Sequence, residues 1–306
     1  MIAILADAFV KATVVLLLSA AGSWSLRRSS AAVRHFVWAL ACGSVLALPL
    51  ASALLPNLRL AGWPRFDVPV AFQVQVIDAK LPAPAPQTPM SDRAPSRPVA
   101  AATTTVTPQP TPDDGPVRFR VTPDWTALVI PIWLSGVAAV LILLGLGLAR
   151  IWWLDRFTLP LRDESWLCLT ADLALEIGLA RRVRLLQATG PAMPMTWGIR
   201  RPTILLPAEA SAWPMERRRD VLLHELAHVK RHDFLIQLIA RVACAVYWFH
   251  PLMWLAATRL REERERACDD QVLRAGAKPS AYATHLLEIA RSLRAARATS
   301  RVSVAM

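Results

Sequence analysis

The segment DWTALVIPIWLSGVAAVLILLGLGLA, residues 124–149, limits what this chain can fold into more than any other. As a helix it would be about 39 Å long at ~1.5 Å per residue, enough to cross a bilayer core of about 30 Å. In lipid the backbone must satisfy its own hydrogen bonds, so an apolar run of this length has to be helical. Two further apolar segments, 3–25 and 35–56, precede it. Asp7 and Lys11 interrupt the first, but they stand four apart and can pair on one helix face. No small-residue cleavage site closes that segment, so it reads as an anchor and not as a removed signal peptide. Pro56 closes the second. The sequence thus predicts a transmembrane helical hairpin over 1–56 and a third transmembrane helix over 124–149.

Charge gives these spans a direction. The net charge is +12 and is carried almost entirely by arginine. A basic chain can serve nucleic acid, but here the arginines flank apolar runs, which excludes direct nucleic-acid binding as the first reading. Arg27, Arg28 and Arg34 fill the short turn after the first segment, and Arg150, Arg156 and Arg162 follow the third. Basic short flanks stay in the cytoplasm, which places the N-terminus outside and residues 150–306 inside. Between the spans, 57–123 is rich in proline, threonine and alanine and reads as a Pro-rich extracytoplasmic loop without a core of its own. Its own arginines do not overturn the orientation, because long loops escape the charge rule. The four cysteines form no CxxC pair, so neither a disulfide framework nor a cysteine zinc site is expected.

The chemistry-bearing stretch is VLLHELAHVKRHD, residues 221–233. Pro214 is suited to start a helix running through it. His224 and His228 are then one turn apart and project from one face, where two imidazoles can grip a single zinc ion. Glu225 flanks the open side and can move a proton for a metal-activated water. His232 is rotated off the ligand face by roughly 80°, and the third-histidine continuation found in one large zinc-protease class is absent. "RRVRLLQA" and "RPTILLP" upstream read as short strands.

A third ligand has to come from further along. Glu265 opens "ERACD", with Asp269 four residues later on the same helix face. That spacing suits a ligand carboxylate followed by one that orients a ligand histidine, and it suits a solvated charged helix equally well. A straight helix over the apolar stretch 234–258 would carry Glu265 more than about 40 Å away. Pro251, with His250 as a cap before it, breaks that stretch into two helices, roughly 234–248 and 251–273. These would run out and back, returning Glu265 to the level of His228. The segment 234–273 is therefore expected as an apolar helical hairpin on or partly in the membrane, not a fourth crossing. Asp233 is expected to cap its first helix, and Cys268 to be a small buried residue.

"PMTWGIRRPTILLP", "VLLHELAHVKRHD", "YWFHPLMWLA" and "ERACDDQVL" occur in the order and spacing of the BlaR/MecR-type membrane metallopeptidases, which this sequence resembles over about residues 1–290. The resemblance implies an α-helical membrane protein with an α+β zincin-like protease domain over 150–306. It implies one zinc per chain in a gluzincin-type site, with His224, His228 and Glu265 as metal ligands and Glu225 as general base. It also implies a multi-pass protein of the bacterial cytoplasmic membrane, with the protease domain facing the cytoplasm. The expected partners are membrane lipid and a protein substrate, a winged-helix transcriptional repressor or the chain itself; a homodimer is compatible with this. Relatives of the sensing type continue into a further span and an extracellular penicillin-binding domain, whereas this sequence stops at Met306, an end that a truncated sequence would also give, so the resemblance leaves beta-lactam sensing open. The alternative is a non-catalytic membrane adaptor that keeps the zinc fold, and the intact Glu225 argues against it.

Overall fold

The computed structural model describes residues 2–54, 126–190 and 192–304, all within the unit formed by Met1–Asp67 with Thr126–Met306. The Pro-rich segment 57–123 and the close of the second span at Pro56 lie outside the described residues. In chain order the elements begin with helix α1 (Ile2–Ser25), a short basic turn, and helix α2 (Ala31–Leu54), followed by helix α3 (Thr126–Phe157). Strand β1 (Leu159–Pro160), helix α4 (Glu164–Glu176) and strands β2 (Arg184–Gln187), β3 (Met195–Trp197) and β4 (Thr203–Leu206) come next. Helices α5 (Met215–Lys230), α6 (Asp233–Val246), α7 (Pro251–Arg274) and α8 (Pro279–Val304) complete the chain.

Three helices are long and apolar enough to cross a membrane, over Asp7–Arg28, Ala31–Pro49 and Leu128–Phe157. In α1 the Lys11 ammonium donates to Asp7 at 2.6 Å, the pairing that the four-residue spacing predicts. Two boundaries differ from expectation. Helix α2 begins four residues earlier than 35, and α3 continues past 149 to Phe157. Arg150 and Arg156 end the apolar run but not the helix, since arginine is a good helix former and projects its charge away from the axis.

The sheet is small, in the order β1-β2-β4-β3, with β2 and β4 parallel and both edge strands antiparallel to their neighbours. Central β4, "TILL", is buried along its whole length, as an unbroken apolar run in a covered strand should be. Its side chains join Trp166 and Leu173 of α4 and Leu222, Leu223 and Leu226 of α5 in one core. Asp163 starts α4 by accepting a hydrogen bond from the Ser165 amide at 2.9 Å. With its leucines locked into this core, α5 presents His224 and His228 on its remaining face. Truncating one such fully buried leucine to alanine costs about 2–5 kcal/mol, so the histidine-bearing helix has little freedom to shift.

Helices α6 and α7 form the out-and-back hairpin expected over 234–273. Ala240, Ala243 and Cys244 of α6 and Ala256 and Ala257 of α7 pack against Ala12, Leu16, Trp38, Ala41 and Val45 of α1 and α2. Small residues let the helix backbones approach closely. At the hairpin tip the Trp133 indole donates to the Val246 carbonyl at 3.0 Å, and the Trp248 indole to the Trp133 carbonyl at 3.2 Å. A Cβ on Gly136 would collide with the Trp248 ring, so this crossing of α3 needs glycine. His250 stands at the cap position of α7 but makes no capping bond with its side chain; its Nε2 lies 3.0 Å from Thr13 Oγ1 of α1.

Candidate metal centre

Helix α5 ends at Lys230, and the chain turns at His232, whose φ of 57° is left-handed. A non-glycine residue there costs about 1–2 kcal/mol. The turn reverses the chain into α6 and brings Asp233 back onto His228. Asp233 was expected as a helix cap. The cap position belongs instead to His232, and the buried Asp233 carboxylate accepts from His228 Nδ1 at 2.8 Å. Its other oxygen faces Arg231 Nε at 3.4 Å and His35 Nε2 of α2 at 3.7 Å.

The hairpin returns Glu265 to the histidines. His224 Nε2 and His228 Nε2 are 3.2 Å apart, and Glu265 Oε2 lies 3.6 Å and 3.9 Å from them. A tetrahedral zinc ion with ligands at about 2.0–2.1 Å separates those ligands by about 3.3 Å. The observed triangle is close to that, and the three donor atoms all lie within 4.8 Å of one another. His224, His228 and Glu265 therefore fit a divalent metal by donor type and by spacing.

Behind the triangle each imidazole is held through its other nitrogen. His224 Nδ1 lies 3.2 Å from Asp269 Oδ1 and 3.0 Å from the Tyr282 hydroxyl, which itself donates to Asp269 at 2.7 Å. His228 Nδ1 is held by Asp233, with Cys268 Sγ 3.2 Å away. Such partners fix the tautomer and leave Nε2 as the free donor. Cys268 is fully buried, and burial pushes its thiol well above the ordinary range. Glu262, on another face of α7, pairs with Arg259 at 2.9 Å, away from the triangle.

Electrostatics agree with a cation site. Burial pushes His224 down, but hydrogen bonds with Asp269 and Glu265 and the charge of Glu225 outweigh it and raise the imidazole to about 10. Burial pushes Glu265 up, but the His224 bond and the Arg264 guanidinium, 2.5 Å away, bring it down to about 2. Burial likewise raises Asp269, and its bonds with His224 and Tyr282 hold it below the usual range. Carboxylates that hold a proton on His224 so firmly would favour a metal cation at the same place.

Glu225 is buried beside the triangle, and its Oε2 accepts from Thr196 Oγ1 of edge strand β3 at 2.6 Å. The helix holds the carboxylate next to the histidines, and the strand fixes its direction. Tyr282 and Thr196 were not singled out in the sequence, and Asp233 was expected only as a helix cap, not as a partner of His228. Asp233 carried a signal, five residues after His228 at a tight turn; Tyr282 and Thr196 carried none, because their partners are 58 and 29 residues away. The site is also tied to α2, where Arg34 Nε donates to the buried Glu263 of α7 at 2.9 Å.

Comparison with known proteins adds a family likeness to this geometry. The model of the family described as BlaR1 peptidase M56 matches residues 3–305. The chain is 32% identical over 143 residues to the regulatory protein BlaR1 of Bacillus licheniformis, covering 47% of this chain and 24% of that protein. It is 30% identical over 82 residues to the methicillin resistance mecR1 protein of Staphylococcus aureus, covering 26% of this chain and 14% of that one. The matched part thus spans less than a quarter of the length of either relative.

Proposed function

Because this chain belongs to the BlaR1 peptidase M56 family, we propose that it is a membrane-embedded zinc endopeptidase that transmits a signal by cutting a cytoplasmic regulatory protein. The observation that carries this reading is the convergence of His224 Nε2, His228 Nε2 and Glu265 Oε2, with the buried Glu225 carboxylate alongside. We read α5 and α7 against the small sheet as a zincin-like protease unit, and the three long apolar helices as its multi-pass anchor in a bacterial cytoplasmic membrane. The protease unit faces the cytoplasm. Its substrate is a repressor of the winged-helix type, or the chain itself.

His224, His228 and Glu265 would hold the zinc ion. Bound there, zinc would supply a Lewis acid that polarises a peptide carbonyl and acidifies a water. Glu225 takes the proton of the attacking water and returns it to the leaving amine, and Thr196 keeps its carboxylate aimed for both transfers. Asp233 and Asp269, with Tyr282, keep both imidazoles presenting Nε2. Edge strand β3 carries Thr196, so peptide bound along that edge would pass over Glu225.

The test is Glu225→Gln, which keeps size and most hydrogen bonding but removes the base. Proteolysis of a co-expressed winged-helix repressor, with self-cleavage followed in the same gel, should fall at least ~10²-fold. Zinc content should stay near one per chain. Near-normal cutting with zinc bound overturns the assignment. A parent chain that binds zinc but cuts neither protein would instead favour the non-catalytic adaptor.

A further inference from the structure

A second constellation lies where β2 and β4 begin. A groove of about 600 Å³ is lined there by Arg181, Arg182, Arg184, Arg200 and Arg201 and by no carboxylate. Two of these arginines have partners: Arg184 pairs with Asp155 of α3, and Arg181 donates to the Ile199 carbonyl. Arg182, Arg200 and Arg201 are exposed and meet no carboxylate among the described residues. The backbone holds them together. Parallel pairing sets Arg184 opposite Thr203, and the Arg184 amide donates to the Pro202 carbonyl at 2.9 Å. Arg182 precedes β2 by two residues and Arg201 precedes β4 by two, so both stand at the same end of this parallel pair. Like charges held this close repel unless an anion is shared between them.

The position of the groove says which anion. Strand β1 starts two residues after α3 ends at Phe157, and Pro160 and Leu161 line the groove beside the arginines. Trp152, Trp153 and Phe157 on the last turns of α3 are 65%, 56% and 64% exposed. Exposed aromatic side chains at the end of a long apolar helix mark the level of lipid headgroups. Asp155, on the same turns, ties the groove to that level through Arg184. Arginine forks fit phosphate oxygens in pairs, and an apolar wall suits the glycerol and first methylenes of a lipid.

We propose that this groove binds the phosphate headgroup of an anionic phospholipid in the leaflet that meets the C-terminal end of α3. The proposal rests on α3 being a membrane span. It gives the exposed arginines a ligand, and it anchors the sheet that carries Thr196 at a fixed depth.

The experiment uses the full chain, stripped of lipid in a neutral detergent. It is titrated with phosphatidylglycerol, with phosphatidylcholine and with inorganic phosphate, and bound lipid is counted by native mass spectrometry. Phosphatidylglycerol should bind saturably and at least ~10-fold tighter than phosphatidylcholine, and the triple variant Arg182→Gln/Arg200→Gln/Arg201→Gln should lose that preference. A charge-matched control, Arg274→Gln/Arg291→Gln/Arg294→Gln, should keep it, and zinc content should be unchanged in both. Equal binding of the two lipids by the parent overturns the proposal, as does a triple variant that keeps the preference. Displacement of the lipid by millimolar phosphate alone, or tighter binding of a single-stranded oligonucleotide, overturns the choice of a lipid. Release of the chain from membranes by an alkaline wash would instead remove the membrane reading of α3, a failure separate from that of the groove.

Discussion

Asp233→Asn isolates the least expected part of the site. The substitution preserves shape and still offers an oxygen to His228 Nδ1, but it removes the charge from a carboxylate that is 2% exposed. Partners at this remove from a metal are typically worth 10–100-fold in affinity, or roughly 1.4–2.8 kcal/mol. The upper end applies here, because the contact is short at 2.8 Å and buried. Asp269→Asn should cost less. Its contact with His224 is longer, at 3.2 Å, and partly open to water, and Tyr282 shares the work of holding the ring. Competition of the purified chain against a zinc chelator at fixed pH measures both, with the membrane-inserted fraction recorded beside it to separate lost metal from lost fold. Burial of Asp233 against Arg231 and His35 also predicts a lower unfolding temperature for Asp233→Asn. If Asp233→Asn binds zinc as tightly as the parent while His228→Ala does not, the orienting role argued for Asp233 is wrong.

Three other outcomes are expected. Glu265→Ala should abolish tight zinc binding, whereas Glu262→Ala, whose partner is Arg259, should leave it intact; the reverse pattern in a zinc-content assay would move the third ligand to Glu262. Zinc affinity should rise with pH across the neutral range by about tenfold per unit for each proton displaced, because His224 holds its proton up to about 10. The metal-free chain has the opposite sign: the stabilisation from protonated His224 is full below its ordinary value of 6.5 and fades as pH rises through about 10. A flat chelator-competition profile between pH 6 and 8 contradicts the proton displacement. Finally, a membrane-impermeant thiol reagent applied to intact cells should label a cysteine placed at Thr104 and spare one placed at Ala208; labelling at Ala208 contradicts the orientation.

Much of this arrangement was legible in the sequence because it rests on strong local signals. The HELAH spacing fixes two imidazoles on one face of any helix, and the proline at 251 breaks an apolar stretch that would otherwise have read as a span. From that break alone followed the return of Glu265 to the histidines. The two-residue β1 and three-residue β3 were not legible, since strands so short carry no alternation to detect. Helix α4 was also missed, although Asp163 and Ser165 hold an N-terminal signal for it. The supports of the site escaped for a different reason. Thr196 and Tyr282 act on partners brought together only by the fold, and nothing in a threonine of a three-residue strand announces a carboxylate beside it.

Helix α7 carries Pro251 at one end, next to His250, which meets Thr13 of α1, and Glu265 fourteen residues further on. That separation is about 21 Å at ~1.5 Å per residue. A rotation of roughly 3° about the tip would displace the Glu265 end by about 1 Å, several times the ±0.2 Å tolerance of a metal–ligand bond. Arg34 grips Glu263 only two residues from Glu265, so this beam is clamped almost at its working end. A motion of α2 against α1 would then reach Glu265, the proposed metal ligand, as leverage, with no change of shape needed in the sheet and α5.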